Sequence, residues 1–125
     1  MNPLEQFNKK HYLNLETFRR SGESMKTPVW FTQVGQIIYV RTGANAGKVK
    51  RIRNNARVNI VPCKMNGKPT GTWRPAQARE VTDPEISTLV NGLLGKKYGL
   101  LTKMFERQRA RQGVKDTILE IKITE

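Results

Sequence analysis

Turn signals recur so often in this chain that no long element fits ahead of residue 82. Ser21-Gly22-Glu23, Val34-Gly35-Gln36 and Asn66-Gly67 each bend the backbone back on itself, Asn-Gly being a favoured pair for a two-residue hairpin. Short stretches rich in β-branched and aromatic residues lie between them and read as strands. Residues 12–19 form one, with Leu13 and Leu15 on one face. Residues 27–32 form another; Pro28 lacks an N–H and marks an irregular or open edge there. Residues 37–41, 57–65, 71–81 and 117–124 complete about six strands. Successive hairpins make neighbouring strands antiparallel. Many short strands favour a barrel with helices packed outside, a mainly β (α+β) architecture.

The helical signals are fewer. Pro3 suits a first turn capped by Asn2, giving a short helix through about Lys10. A cationic helix spans 48–54 and turns Val49, Ile52 and Ala56 toward a core. Asp83-Pro84-Glu85 combines a cap, a first-turn proline and a carboxylate at the positive helix end. The stripe Ile86, Leu89, Val90, Leu93, Leu94 follows, and Gly99 stops the helix. A last helix runs from Leu101 through Met104 and Phe105 to about Gln112. Its Arg107, Arg109 and Arg111 are two apart, spread around the helix, and read as a solvated or subunit-facing surface.

With 125 residues the chain reads as one domain, residues 1–125, with a modest core. Enclosing a large cofactor at this size usually takes a second subunit. No apolar run approaches the ~18 residues of a membrane span, and residues 1–13 lack the apolar core of a signal peptide. The expected location is cytoplasmic. Cys63 is the only cysteine, which excludes an internal disulfide and any multi-cysteine metal site. It reads as a buried structural thiol. His11 is the only histidine, which argues against His-rich zinc sites and a Ser-His-Asp triad. It reads as an exposed residue, and no metal site is expected.

The charge is unevenly placed. The formal net charge is +13, yet residues 24–79 contain no Asp or Glu and carry eleven cations, while the rest is nearly balanced. Something anionic binds a segment built this way. A nucleic acid, a membrane surface and a phosphorylated small molecule all satisfy that condition, and charge alone does not choose among them.

Three segments stand out as candidate sites. In Arg41-Thr42-Gly43-Ala44-Asn45-Ala46-Gly47-Lys48-Val49-Lys50-Arg51, small residues precede a helix whose positive end attracts anions. Lys48 and Arg51 share a helix face, Arg41 ends the preceding strand, and Thr42 adds a hydroxyl. The alternative is a solvated basic face. This is not a Walker loop: Gly43 to Gly47 is one residue short, and Val49 stands where Ser or Thr belongs. Pro28-Val29-Trp30-Phe31 offers either a backing for a planar ring or core packing. Gly71-Thr72-Trp73-Arg74-Pro75 sets an aromatic beside an arginine, suited to ring stacking, an anionic substrate or a subunit contact.

Taken in order, residues 12–18, Thr27-Pro28-Val29-Trp30-Phe31, Tyr39-Val40-Arg41-Thr42-Gly43, residues 47–53 and Ala56-Arg57-Val58 resemble the pyridoxamine 5′-phosphate oxidase-like split-barrel proteins. The branch using deazaflavin (coenzyme F-420) is most similar. The resemblance covers about residues 5–82 and the final strand. It implies a split-barrel homodimer with FMN or coenzyme F-420 at the subunit interface. By position, Lys48 and Arg51 match the phosphate-binding cations, with Arg41 and Thr42 beside them. Thr27, Pro28, Val29 and Trp30 match the strand along the ring system. Trp73 and Arg74 match a strand reaching toward the substrate or the partner subunit. The chain is much shorter than true pyridoxamine phosphate oxidases and lacks their C-terminal substrate-binding segment, which argues against a role in vitamin B6 synthesis. The implied activity is hydride transfer to or from a small organic substrate. The cofactor supplies that chemistry and the protein supplies binding and orientation, so no side chain is assigned as catalytic. Two other readings are a non-catalytic FMN-binding protein and a small basic nucleic-acid-binding barrel. The latter would use Tyr39, Trp30 and Trp73 as stacking platforms.

Overall fold

The computed structural model describes residues 2–113 and 115–124, apart from the side chains of Phe105, Glu106, Arg109, Ala110 and Gln112. A single 3-10 turn at Glu5–Phe7 precedes β1 (Tyr12–Phe18), β2 (Ser24–Val29), β3 (Thr32–Val34) and β4 (Ile37–Gly43). Then come α1 (Gly47–Asn54), β5 (Arg57–Cys63), β6 (Arg74–Val81), α2 (Pro84–Tyr98), α3 (Leu100–Gln112) and β7 (Asp116–Ile123). Among the described residues the strands form one seven-stranded sheet in the order β2-β1-β5-β6-β7-β4-β3. Every pairing is antiparallel.

The two edge strands, β2 and β3, are neighbours in sequence, with only Trp30 and Phe31 between them. The chain leaves one edge and joins the other within two residues, so the sheet must curl until its edges approach. That is a split barrel. Where a continuous strand over 27–32 was expected, the chain breaks at this seam. The break exposes the backbone of Phe31, which must find partners elsewhere. Its N–H donates to the Tyr98 hydroxyl at 3.0 Å, and its carbonyl accepts from Lys97 Nζ at 2.8 Å. Helix α2 thus supplies the hydrogen bonds that the sheet does not.

Alternation along the strands sorts side chains onto two faces. Leu13 and Leu15 of β1 oppose Val29 and Thr27 of β2, and Leu15 opposes Ile60 of β5. These point inward with Ile38, Val40, Leu119 and Ile121. Leu4 and Phe7 of the 3-10 turn and Val49 and Ile52 of α1 join the same interior. Burying Val49 and Ile52 contributes roughly 1.5–3 kcal/mol each and fixes α1 to the barrel. Outside, Val90, Leu94 and Tyr98 of α2 pack on Tyr39, Val81 and Ile118. Asp83 caps α2 by accepting from the Glu85 N–H at 2.9 Å, and Gly99 ends it at φ 62°.

Several boundaries differ from the sequence reading for local reasons. The N-terminal helix is one turn only; Asn2 Oδ1 accepts from the Leu4 N–H at 3.0 Å, and Lys9 takes a positive φ that ends the turn's continuation. The strand expected over 71–81 begins at Arg74. Gln6 captures the backbone of Thr72, accepting from its N–H at 2.9 Å and donating to its carbonyl at 2.8 Å. Ala56 lies beyond α1 and is exposed rather than core. Leu89 is 48% exposed and Met104 66%, so both stand outside the packed stripe. The expected Phe105 contact and the Arg109 side chain lie outside the described residues.

Candidate functional site

Helix α1 begins immediately after the loop that leaves β4, and Val49 and Ile52 anchor its inner face. That anchoring leaves Lys48 and Arg51 together on another face, three residues apart. Lys48 Nζ donates to Thr42 Oγ1 at 3.4 Å. Arg51 Nε donates to Thr17 Oγ1 at 2.6 Å. One ammonium and one guanidinium of α1 are thus each held by a strand hydroxyl, from β4 and β1 respectively. The N-cap Ala46 has no side chain with which to cap the first turn, and the positive helix end adds to the same field.

Gly47 matters here through size. A Cβ at this position would lie 2.8 Å from Arg51 Nη1. The missing side chain lets the guanidinium fold back over the start of its own helix. Arg51 is held below the usual arginine range by burial first and by the Arg19 charge second. Both causes disfavour the cation in the unliganded protein, and an anion placed there would relieve both. The donor set is positive and hydroxyl-bearing. That fits a dianionic phosphoryl group.

The other expected site residues are placed differently. Arg41 precedes Thr42, so the pleat turns it to the opposite face. Its Nη1 donates to Asn91 Oδ1 at 2.8 Å, and its Nε lies 3.9 Å from Asp116 Oδ2. It ties β4 to α2 and β7 rather than joining Lys48. Val29 is buried in the barrel interior, whereas Thr27 is half-buried and Pro28 exposed on edge strand β2. Trp30 stacks on Tyr98 with centroids 4.3 Å apart and planes 7° apart. Trp73 precedes β6, with Lys26 Nζ 5.6 Å from its ring. Arg74 lies against Asn2, Pro3, Glu5 and Gln6, and its Nε is buried without a hydrogen-bond partner among the described residues. Lys48 pairs with Thr42 and Arg51 with Thr17, while Trp30, Trp73 and Arg74 have the separate contacts just described.

Thr17 is the member the sequence reading missed. It is 1% exposed and continues the inward series Leu13, Leu15, Thr17. A hydroxyl at the third core-facing position was the available signal. Cys63 is buried, and burial pushes its thiol up, as a structural cysteine requires. His11 is exposed, its ring edge-on to Tyr98 at 5.9 Å. No helix among the described residues is long and apolar enough to cross a membrane.

No protein-family model and no curated protein matches the sequence. Solved structures do match the fold. The heme storage protein HutZ of Vibrio cholerae superposes with a TM-score of 0.74 at 15% identity, over 97% of this chain and 87% of that one. A candidate pyridoxamine 5′-phosphate oxidase of Listeria innocua gives 0.66 at 13% identity, over 98% and 90%. An F420 reductase gives 0.58 at 14% identity, over 98% and 93%. The chain has the split-barrel fold of the pyridoxamine 5′-phosphate oxidase-like proteins.

Proposed function

We propose that the chain is a flavin- or deazaflavin-dependent oxidoreductase, moving hydride between FMN or coenzyme F-420 and a small organic substrate. It acts as a cytoplasmic homodimer, with the ring systems at the subunit interface. The observation that carries this reading is that α1 presents two cations, each bonded to a threonine hydroxyl: Lys48 to Thr42 and Arg51 to Thr17. Two cations with adjacent hydroxyls match the charge and the acceptor oxygens of the phosphate that either cofactor brings. The fold likeness to a candidate pyridoxamine 5′-phosphate oxidase and to an F420 reductase supports it.

When bound, the isoalloxazine or deazaflavin ring would supply the hydride chemistry. Lys48 and Arg51 would hold the phosphate and so fix where the ring begins. Thr42 and Thr17 position those two cations in advance, which lowers the ordering cost of binding. The curled sheet provides a wall that excludes water from one side. No proton transfer is assigned to a side chain.

Titration with FMN and with coenzyme F-420, followed by visible absorbance, tests the reading. Either ligand should bind at micromolar concentration. Lys48→Ala and Arg51→Ala should each lower the affinity by about 1.5–3 kcal/mol, roughly 10- to 150-fold. Unchanged affinity in both variants would remove the phosphate from this place. Binding of single-stranded DNA with neither cofactor bound would favour the basic nucleic-acid barrel instead.

A further inference from the structure

Helix α3 carries large apolar side chains that the rest of the fold leaves in solvent. Leu100 is 77% exposed, Leu101 53% and Met104 66%. Thr102 marks the inward side: it is buried, and its hydroxyl donates to the Gly99 carbonyl. Leu100, Met104, Arg107 and Arg111 recur at steps of four, three and four, so they share the outward face. All four are exposed. Met104, Arg107 and Arg111 line one shallow hollow. Lys96 and Lys103 flank Leu100 along the neighbouring groove between α2 and α3.

The charge here is as lopsided as the exposure. Residues 86–113 hold six Lys and Arg against a single Glu. The acids of α2, its cap Asp83 and first-turn Glu85, sit at the far end of that helix, a length of ~20 Å. A second copy of this chain does not fit such a face, because like charges would meet. A nucleic acid would satisfy the arginines and leave three large apolar side chains in water. A protein groove that wraps a helix needs more than one side of it. Helix α3 offers one side only, since Thr102 turns inward and the chain is joined to α2 through Gly99 and to β7 at Asp116. A planar anionic surface with an apolar layer beneath it meets all three conditions.

We infer that the outward face of α3 is a docking surface for an anionic lipid bilayer. Leu100, Leu101 and Met104 sink into the boundary between headgroups and acyl chains. Lys96, Lys103, Arg107 and Arg111 lie among the headgroup anions. Three apolar side chains are too few to anchor the protein alone, so insertion and charge act together and binding is reversible. The surface stands apart from the cofactor reading and uses neither Lys48 nor Arg51.

Co-sedimentation of the full chain with lipid vesicles tests the inference. Vesicles of phosphatidylcholine with about one third phosphatidylserine should bind it, and pure phosphatidylcholine should not. Raising the salt should weaken binding. A chain of net charge +13 attracts anionic vesicles in any orientation, so substitutions must locate the contact. Arg107→Gln with Arg111→Gln should weaken binding about 25-fold, at about fivefold for each basic residue against the surface. Lys50→Gln with Arg57→Gln removes the same charge from α1 and β5 and should weaken it less than about threefold. Leu100→Ser with Met104→Ser keeps every charge and should weaken it about tenfold. Met104→Cys, labelled with an environment-sensitive fluorophore, should shift to the blue on the anionic vesicles only; Cys63 is buried and escapes the label. Equal losses for the two charge pairs, no loss for the apolar pair, or an unshifted probe would each overturn the docking face. Single-stranded DNA that competes with the vesicles and is lost with the same arginine pair would assign the face to nucleic acid instead. A drop to the single-chain mass in the Leu100 and Met104 variant would seat a second copy there. Each of these outcomes leaves the titration with FMN and coenzyme F-420 to stand or fall by itself.

Discussion

Lys97 holds its ammonium 3.7 Å from the Phe31 ring centroid while donating to the Phe31 carbonyl at 2.8 Å. Burial pushes this lysine down to about 8, well under the ~10.4 of an unfolded chain. Below that value both states are protonated, and the fold bears the full cost of a desolvated charge. Between about 8 and 10.4 the folded chain has released its proton and the unfolded one has not, so stability rises with pH. The full shift would amount to about 3 kcal/mol; the side chain is only half-buried, and solvent screening leaves a gain of about 1–2 kcal/mol across that window. Urea unfolding from about pH 7.5 to 9.5 should show the rise, and Lys97→Met should flatten it. A flat wild-type profile would refute the burial argument. Residue by residue, the sequence was most informative where charge and spacing coincide. Lys48 and Arg51 are three apart behind a loop of small residues, and each donates to a threonine hydroxyl. Arg41 takes the face opposite its inward neighbour Thr42, and its guanidinium donates to Asn91, a contact 50 residues away that local pattern does not reveal.

At the scale of elements, the seam between β2 and β3 depends on α2. The Tyr98 hydroxyl accepts from the Phe31 N–H at 3.0 Å and lies 2.7 Å from the His11 carbonyl and 3.0 Å from that of Phe31. Replacing Tyr98 with Phe would leave a buried amide without its acceptor, at a cost of about 1–3 kcal/mol. Thermal unfolding should register the loss, and amide exchange at Phe31 should accelerate although that residue belongs to no strand. A loss under about 0.5 kcal/mol would mean that another acceptor satisfies the amide. Most of the elements were legible beforehand. Gly35 at φ 59° makes the tight β3–β4 turn, and Asp83 with Gly99 bounds α2. The seam was not legible, because its partners lie 66 and 67 residues away on α2. The late start of β6 was hidden similarly, since Gln6 intercepts Thr72 across 66 residues. Local propensity carries no information about either contact.

For the whole molecule, the net charge of +13 and the small interior pull in opposite directions. A barrel of this size cannot surround a ring system alone, yet strongly cationic copies repel one another. Under the proposed function, an anionic ligand would resolve the conflict by neutralising charge where the copies meet. Sedimentation should therefore give a mass near twice the 14.3 kDa chain when cofactor is bound. A species that stays at the single-chain mass with saturating ligand would contradict the dimer. The fold class was readable at this scale because successive hairpins leave few alternatives to a curled antiparallel sheet. Charge alone pointed only to something anionic, and FMN or coenzyme F-420 came from the resemblance.

The two-residue passage from Val29 to Thr32 also sets where this scaffold tolerates change. Extra residues inserted at Trp30-Phe31 would let the two borders drift apart and detach Phe31 from its helix-borne partners. The stretch between Cys63 and Arg74 is longer, and Lys64, Met65 and Asn66 within it are exposed. Grafted peptides or affinity tags belong in that stretch, and the two-residue passage at Trp30-Phe31 should be left untouched.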